Sequence, residues 1–113
     1  MAGIPGVLPF EGAIAVIFVA MRTDVDDAGY AEAAARMDAL AATQPGYLGI
    51  DSVRGDDGLG ITVSYWADEA SALGWKANTE HAAVRELGRD RWYAHYRLIV
   101  SSVERAYGWS VKD

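Results

Sequence analysis

The stretch Ala13–Arg22, AIAVIFVAMR, decides how the rest of the chain is read. It is apolar on both alternating faces, with Ala15, Ile17 and Val19 on one and Ile14, Val16 and Phe18 on the other. A strand with one wet face alternates apolar with polar residues. This one does not, so it belongs in the middle of a sheet with cover on both sides. A chain of 113 residues is one domain, and its helices can cover only one sheet face well. The second cover is expected to be another subunit.

The remaining elements follow from this strand. Asp26 or Asp27 can cap a helix over Ala28–Thr43, where Tyr30, Ala33, Ala34, Met37, Leu40 and Ala41 recur at helical spacing. Gln44-Pro45-Gly46 ends it. Tyr47–Arg54 and Leu59–Trp66 flank the turn Gly55-Asp56-Asp57-Gly58 and read as a hairpin. Asp68 caps a second helical region over Glu69–Lys76, which Asn78 or Thr79 restarts through His81–Leu87. The segment Trp92–Tyr107 holds a last strand centred on Leu98-Ile99-Val100. The order β-α-β-β-α-β, with right-handed crossovers, predicts an α+β ferredoxin-like sandwich with both helical regions on one sheet face. Residues 1–11 read as an irregular tail and 12–113 as the single domain.

Composition narrows the function. With no cysteine, disulfides, thiolate metal sites and cysteine nucleophiles are excluded. The net charge is −6, and no basic stripe offers itself to nucleic acid. The longest apolar run, Ala13–Met21, is far shorter than the roughly 20 residues of a membrane helix. It also lacks the flanks of a signal peptide. A soluble cytoplasmic protein is the expectation. His81 and His95 are the only histidines, without a carboxylate at ligand spacing, so no metal is expected.

The candidate chemistry sits in the second half. Tyr65, Trp66, Trp75, Trp92, Tyr93, Tyr96, Tyr107 and Trp109 can line an aromatic pocket or fill a core. Trp75, Asn78, His81 and Arg85 share one stripe if their helix is unbroken. The alternative is a solvated face with Trp75 buried. On the third strand Thr62, Ser64 and Trp66 face one way, and Ile61, Val63 and Tyr65 the other. Asn78 and His81 also have a purely structural reading, with Asn78 as a cap and His81 bonded to a strand residue such as Tyr93 or Tyr96.

Several runs together resemble the antibiotic biosynthesis monooxygenase (ABM) family. They are Gly60-Ile-Thr-Val-Ser-Tyr-Trp66, Trp75-Lys76-x-Asn78-x-x-His81, Gly88-Arg89-x-x-Trp92-Tyr93-x-x-Tyr96 and Val103-Glu104-Arg105-x-Tyr107. Gly29-Tyr30 and Gln44-Pro45-Gly46-Tyr47-Leu48-Gly49 fit the same pattern. The resemblance runs over about Ala13–Trp109. It implies a dimeric α+β barrel, a homodimer of two ferredoxin-like units packed sheet against sheet. It also implies oxidation of a small aromatic or polyphenolic molecule in a pocket between sheet and helices, without cofactor.

Carried over residue by residue, Trp66 matches the family's strand-end tryptophan and Arg85 its helix arginine. Thr62 stands where the quinone-forming members have asparagine. Members that degrade haem place a ligating histidine ten residues after a helix tryptophan. Here Trp75 is followed at that distance by Arg85, whose guanidinium cannot ligate iron, so His81 would have to substitute. On the enzyme reading His81, whose ordinary pKa lies near 6.5, serves as base, and Arg85 stabilises the developing anion. Substrate contacts fall to Thr62, Ser64, Trp66, Trp75, Asn78, Tyr93 and Tyr96. The competing reading is a non-catalytic dimeric small-molecule-binding module.

Overall fold

A computed structural model describes residues 8–111. Strand β1 (Ile14–Arg22) is central, as its two-sided apolar pattern demands, with antiparallel β3 (Leu59–Trp66) on one side and antiparallel β4 (Tyr93–Ser102) on the other. Strand β2 (Tyr47–Arg54) pairs with β3 across the predicted hairpin, where Gly58 takes φ 92°. The sheet order β2-β3-β1-β4 is that of the ferredoxin-like sandwich.

Helix α1 (Asp27–Ala41) starts at Asp26, whose carboxylate accepts the Gly29 amide at 3.1 Å. The second helical region is two helices, α2 (Glu69–Ala77) and α3 (Thr79–Leu87). Asn78 makes the break, its Oδ1 accepting the amides of Glu80 at 3.0 Å and His81 at 3.1 Å. One π-helical turn, Gly88–Trp92, then delivers the chain into β4. That last strand covers only Tyr93–Ser102 of the predicted Trp92–Tyr107. Beyond it the chain is irregular, and Tyr107 and Trp109 are 88% and 83% exposed, so they join neither core nor pocket. Of the tail expected over residues 1–11, the first seven lie outside the described residues.

The register fixes what the helices see. Four rows cross their side of the sheet: Arg54–Gly60–Ala20–Tyr96, Ser52–Thr62–Phe18–Leu98, Ile50–Ser64–Val16–Val100, and Tyr47–Trp66–Ile14–Ser102. Thr62, Ser64 and Trp66 are therefore the helix-side set, which the pleat alone left open. The core is concentrated in the last row and its cover, with Ile14, Ala41, Trp66 and Ala72 buried together. The opposite face carries Ala15, Ile17, Val19, Val63 and Ile99, and no helix among the described residues lies over it. Ile99 is 45% exposed there and Ile61 38%.

Candidate active site

Two aromatic clusters stand on the helix side. They are about six residues apart along β3, or roughly 20 Å at strand rise. The first is a stack. Trp66 packs on Trp75 (centroids 5.9 Å, 23°), and Trp75 packs on His81 (4.1 Å, 14°). Tyr47 closes it edge-on at 5.7 Å. Trp66 is fully buried and its Nε1 donates to Ser64 Oγ at 3.0 Å, with Ser64 itself buried. Trp66 and Ser64 therefore back the stack, and a ligand would have to displace Trp75 to reach Trp66. Trp75 and His81 form its accessible end.

The stripe expected on one continuous helix does not form, because Asn78 breaks the helix. His81 nevertheless returns to Trp75. Its Nδ1 lies 2.8 Å from the Trp75 carbonyl oxygen, so Nδ1–H is the donor and the neutral ring carries its lone pair on Nε2. Arg85 Nη1 donates to the next carbonyl, that of Lys76, at 3.3 Å. Both candidate catalytic side chains of α3 thus bond the last carbonyls of α2, of which that of Trp75 also accepts the Asn78 amide. Burial pushes the His81 pKa below its ordinary value. The bond to the Trp75 carbonyl opposes this and the nearby Arg85 charge adds to it. A histidine in that state remains a free base near neutral pH, with Nε2 unbonded among the described residues.

His81 does make a bond to the scaffold, but its partner is neither Tyr93 nor Tyr96. Those two start β4, beside Arg22 and Ala20, at the far end of the sheet. There they belong to the second cluster. Phe18 meets Tyr93 at 5.3 Å and Tyr96 at 5.2 Å, and Tyr30 meets Tyr93 and Trp92 edge-on. Burial, and then the neighbouring Tyr30 hydroxyl, push the Tyr93 phenol well above its ordinary pKa. It is held neutral. Arg89 Nε donates to the Tyr96 hydroxyl at 2.8 Å. Thr62 lies between the clusters, its Oγ1 2.8 Å from Ser52 Oγ.

Sequence reasoning missed Tyr30, Arg22 and Arg54. Two guanidinium groups pack on the Tyr30 ring, Arg22 at 4.0 Å and Arg54 at 4.8 Å. Gly60 was the available signal. A glycine inside a strand marks a place where another group comes close, and a Cβ there would stand 3.0 Å from Arg54 Nη2. A shallow depression of about 310 Å³, lined by Gln44, Pro45, Asp68, Ser71, Gly74 and Trp75, reaches neither His81 nor Arg85.

Residues 13–87 match the family described as Antibiotic biosynthesis monooxygenase. The chain is 50% identical over 91 residues to the uncharacterized protein YqjZ of Bacillus subtilis, covering 80% of this chain and 79% of that one. Among solved structures it is similar to SnoaB of Streptomyces nogalater, a cofactor-independent oxygenase, with TM-score 0.72 and 14% identity over 84% of this chain and 96% of that one. It is also similar to Rv0793 of Mycobacterium tuberculosis, with TM-score 0.75 and 11% identity over 85% and 99%. At those identities the two structures speak for the fold.

Proposed function

Because the chain belongs to the antibiotic biosynthesis monooxygenase family, we propose that it is a cofactor-independent monooxygenase acting on a small aromatic or polyphenolic molecule bound between sheet and helices. The observation that carries this reading is His81, a neutral imidazole fixed through Nδ1 and left with a free Nε2 beside an arginine. Nε2 takes a proton from an acidic ring CH₂ of the substrate, and Arg85 stabilises the resulting anion. The carbanion passes one electron to O₂, and the radical pair joins to a peroxide that takes the proton back from His81. Loss of water from this hydroperoxide leaves a carbonyl. The sum is CH₂ + O₂ → C=O + H₂O, so all four electrons come from the substrate and no reductant is consumed. The accessible end of the stack, where Trp75 meets His81, supplies the aromatic wall against which the ring lies.

The same reading joins two copies through the uncovered sheet face, where Ile17 lies between Val63 and Ile99. An interface of that type buries more than about 2,000 Å² in total. Ile17→Lys is expected to convert a dimer to monomers in sedimentation velocity. A monomeric wild type at micromolar concentration removes this part.

Oxygen uptake with an anthrone as substrate tests the chemistry, wild type against Arg85→Ala. No uptake above the uncatalysed rate by either protein leaves the second reading, a non-catalytic binding module. Full burial of Trp66 and the bond already made by Thr62 favour it. In that case the anthrone raises the melting temperature unconsumed, by about 2.7 kcal/mol of stabilisation at 100 times Kd.

A further inference from the structure

We propose that the end of the groove away from His81 is an anchor for a carboxylate on the aromatic ligand, built by Arg54 with Ser52 and Thr62. The inference rests on the reading above, in which the ligand lies in a groove between sheet and helices. It places the carboxylate at the far end of an elongated ligand, since the two aromatic clusters stand roughly 20 Å apart. Arg54 ends β2 opposite Gly60, and the missing side chain lets its guanidinium lie across the β3 backbone toward Tyr30. Of its five N–H donors one goes to the Tyr30 hydroxyl and one to the Gly58 carbonyl at 3.2 Å. The others have no partner among the described residues. Arg22, Arg36 and Arg89 are each paired with a carboxylate. Arg54 has no such partner among the described residues, although the chain as a whole carries −6.

Two residues back along the same face, Ser52 Oγ and Thr62 Oγ1 share one hydrogen bond. Only one of the two hydroxyl protons lies between them, and the other is free to donate. A carboxylate seated between this pair and Arg54 accepts from the guanidinium and the hydroxyl together, a charge-assisted arrangement. Tyr30 adds an aromatic wall beside it, with Arg22 also packed on its ring at 4.0 Å. Thr62 then serves as an anion contact, which its hydroxyl suits.

The test compares two probes of equal size, anthraquinone-2-carboxylate and anthraquinone-2-carboxamide, by tryptophan fluorescence quenching. The wild type is expected to bind the carboxylate about tenfold more tightly or better, with the preference shrinking at high salt. Arg54→Gln should bring the ratio of the two Kd values close to one, Thr62→Val should lower it, and Arg54→Lys should keep part of it. Because both probes are measured on each protein, a general loss of folding cancels from the ratio. Equal binding of both probes by the wild type overturns the anchor and leaves the groove reading intact. A preference that survives in Arg54→Gln but disappears in Arg85→Gln overturns it too, since the anion then sits at the other end. If the wild type binds neither probe, the groove reading and the anchor fall together.

Discussion

His81 divides its two ring nitrogens between two jobs, and a pair of substitutions can take them apart. The amide of an asparagine at this position reaches where Nδ1 stands, whereas that of a glutamine reaches where Nε2 stands. His81→Asn therefore keeps the donor to the Trp75 carbonyl and removes the base. His81→Gln keeps a polar group at the reach of Nε2, removes the base, and loses the bond. The lost hydrogen bond costs about 1 kcal/mol. It costs no more because the Trp75 carbonyl still accepts the Asn78 amide at 3.1 Å and is not orphaned. Both variants also lose the stack on Trp75, for about 1 kcal/mol more. His81→Asn should thus fall by about 1 kcal/mol and His81→Gln by about 2, roughly 4 and 8 °C in melting temperature for a domain of this size. Turnover should drop about 10²–10⁴-fold in both, the usual share of a general base. Thermal unfolding and oxygen uptake per folded molecule, measured on both variants, give the answer. If His81→Asn turns over within about threefold of wild type, His81 is not the base and the proposed mechanism is wrong.

Three further outcomes follow from the geometry. Burial holds the His81 pKa below the ordinary value of about 6.5, so below that pH the unfolded chain binds a proton that the folded one resists. Stability from this group is therefore complete above about pH 6.5 and is lost as pH falls toward the folded pKa. Urea unfolding at several pH values should show that slope in wild type and not in His81→Asn. Gly88→Ala gains helix propensity, but its Cβ would stand 2.8 Å from the Tyr93 ring, so a net loss of about 1–3 kcal/mol is expected. A variant that melts higher than wild type contradicts the contact. Asn78→Ala should cost about 1 kcal/mol and Asn78→Asp much less, because only the latter keeps the oxygen that caps α3. Equal melting temperatures for the two would refute the cap.

The fold was legible because each element carries a local signal. The doubly apolar β1, the Gly55–Gly58 turn and the cap at Asn78 all stand where the residues put them. The site was legible only in part. Trp75, His81 and Arg85 are near in sequence, and a local argument could group them. It could not see that α3 folds back, so that His81 bonds a carbonyl of α2 and not a tyrosine of β4. Nor could it place Tyr93 and Tyr96 a full sheet length from Trp66, because strand register is a long-range property. Arg22, Tyr30 and Arg54 come from three separate elements, and only the pairing of Arg54 with Gly60 brings them together.

Strand β4 has a consequence for the life of the chain as a single copy. It is a sheet edge ten residues long, and Leu98, Ile99 and Val100 are 48%, 45% and 57% exposed, on both of its faces. Unpaired backbone beside a run of exposed branched side chains is a template on which another chain can grow. Self-association through the open face would shelter Ile99 and leave Leu98 and Val100 on the helix side. A protomer freed by dilution or heat would then be lost to aggregation before it could re-pair. Durability in such a protein is set by how seldom the assembly opens, a rate rather than an equilibrium.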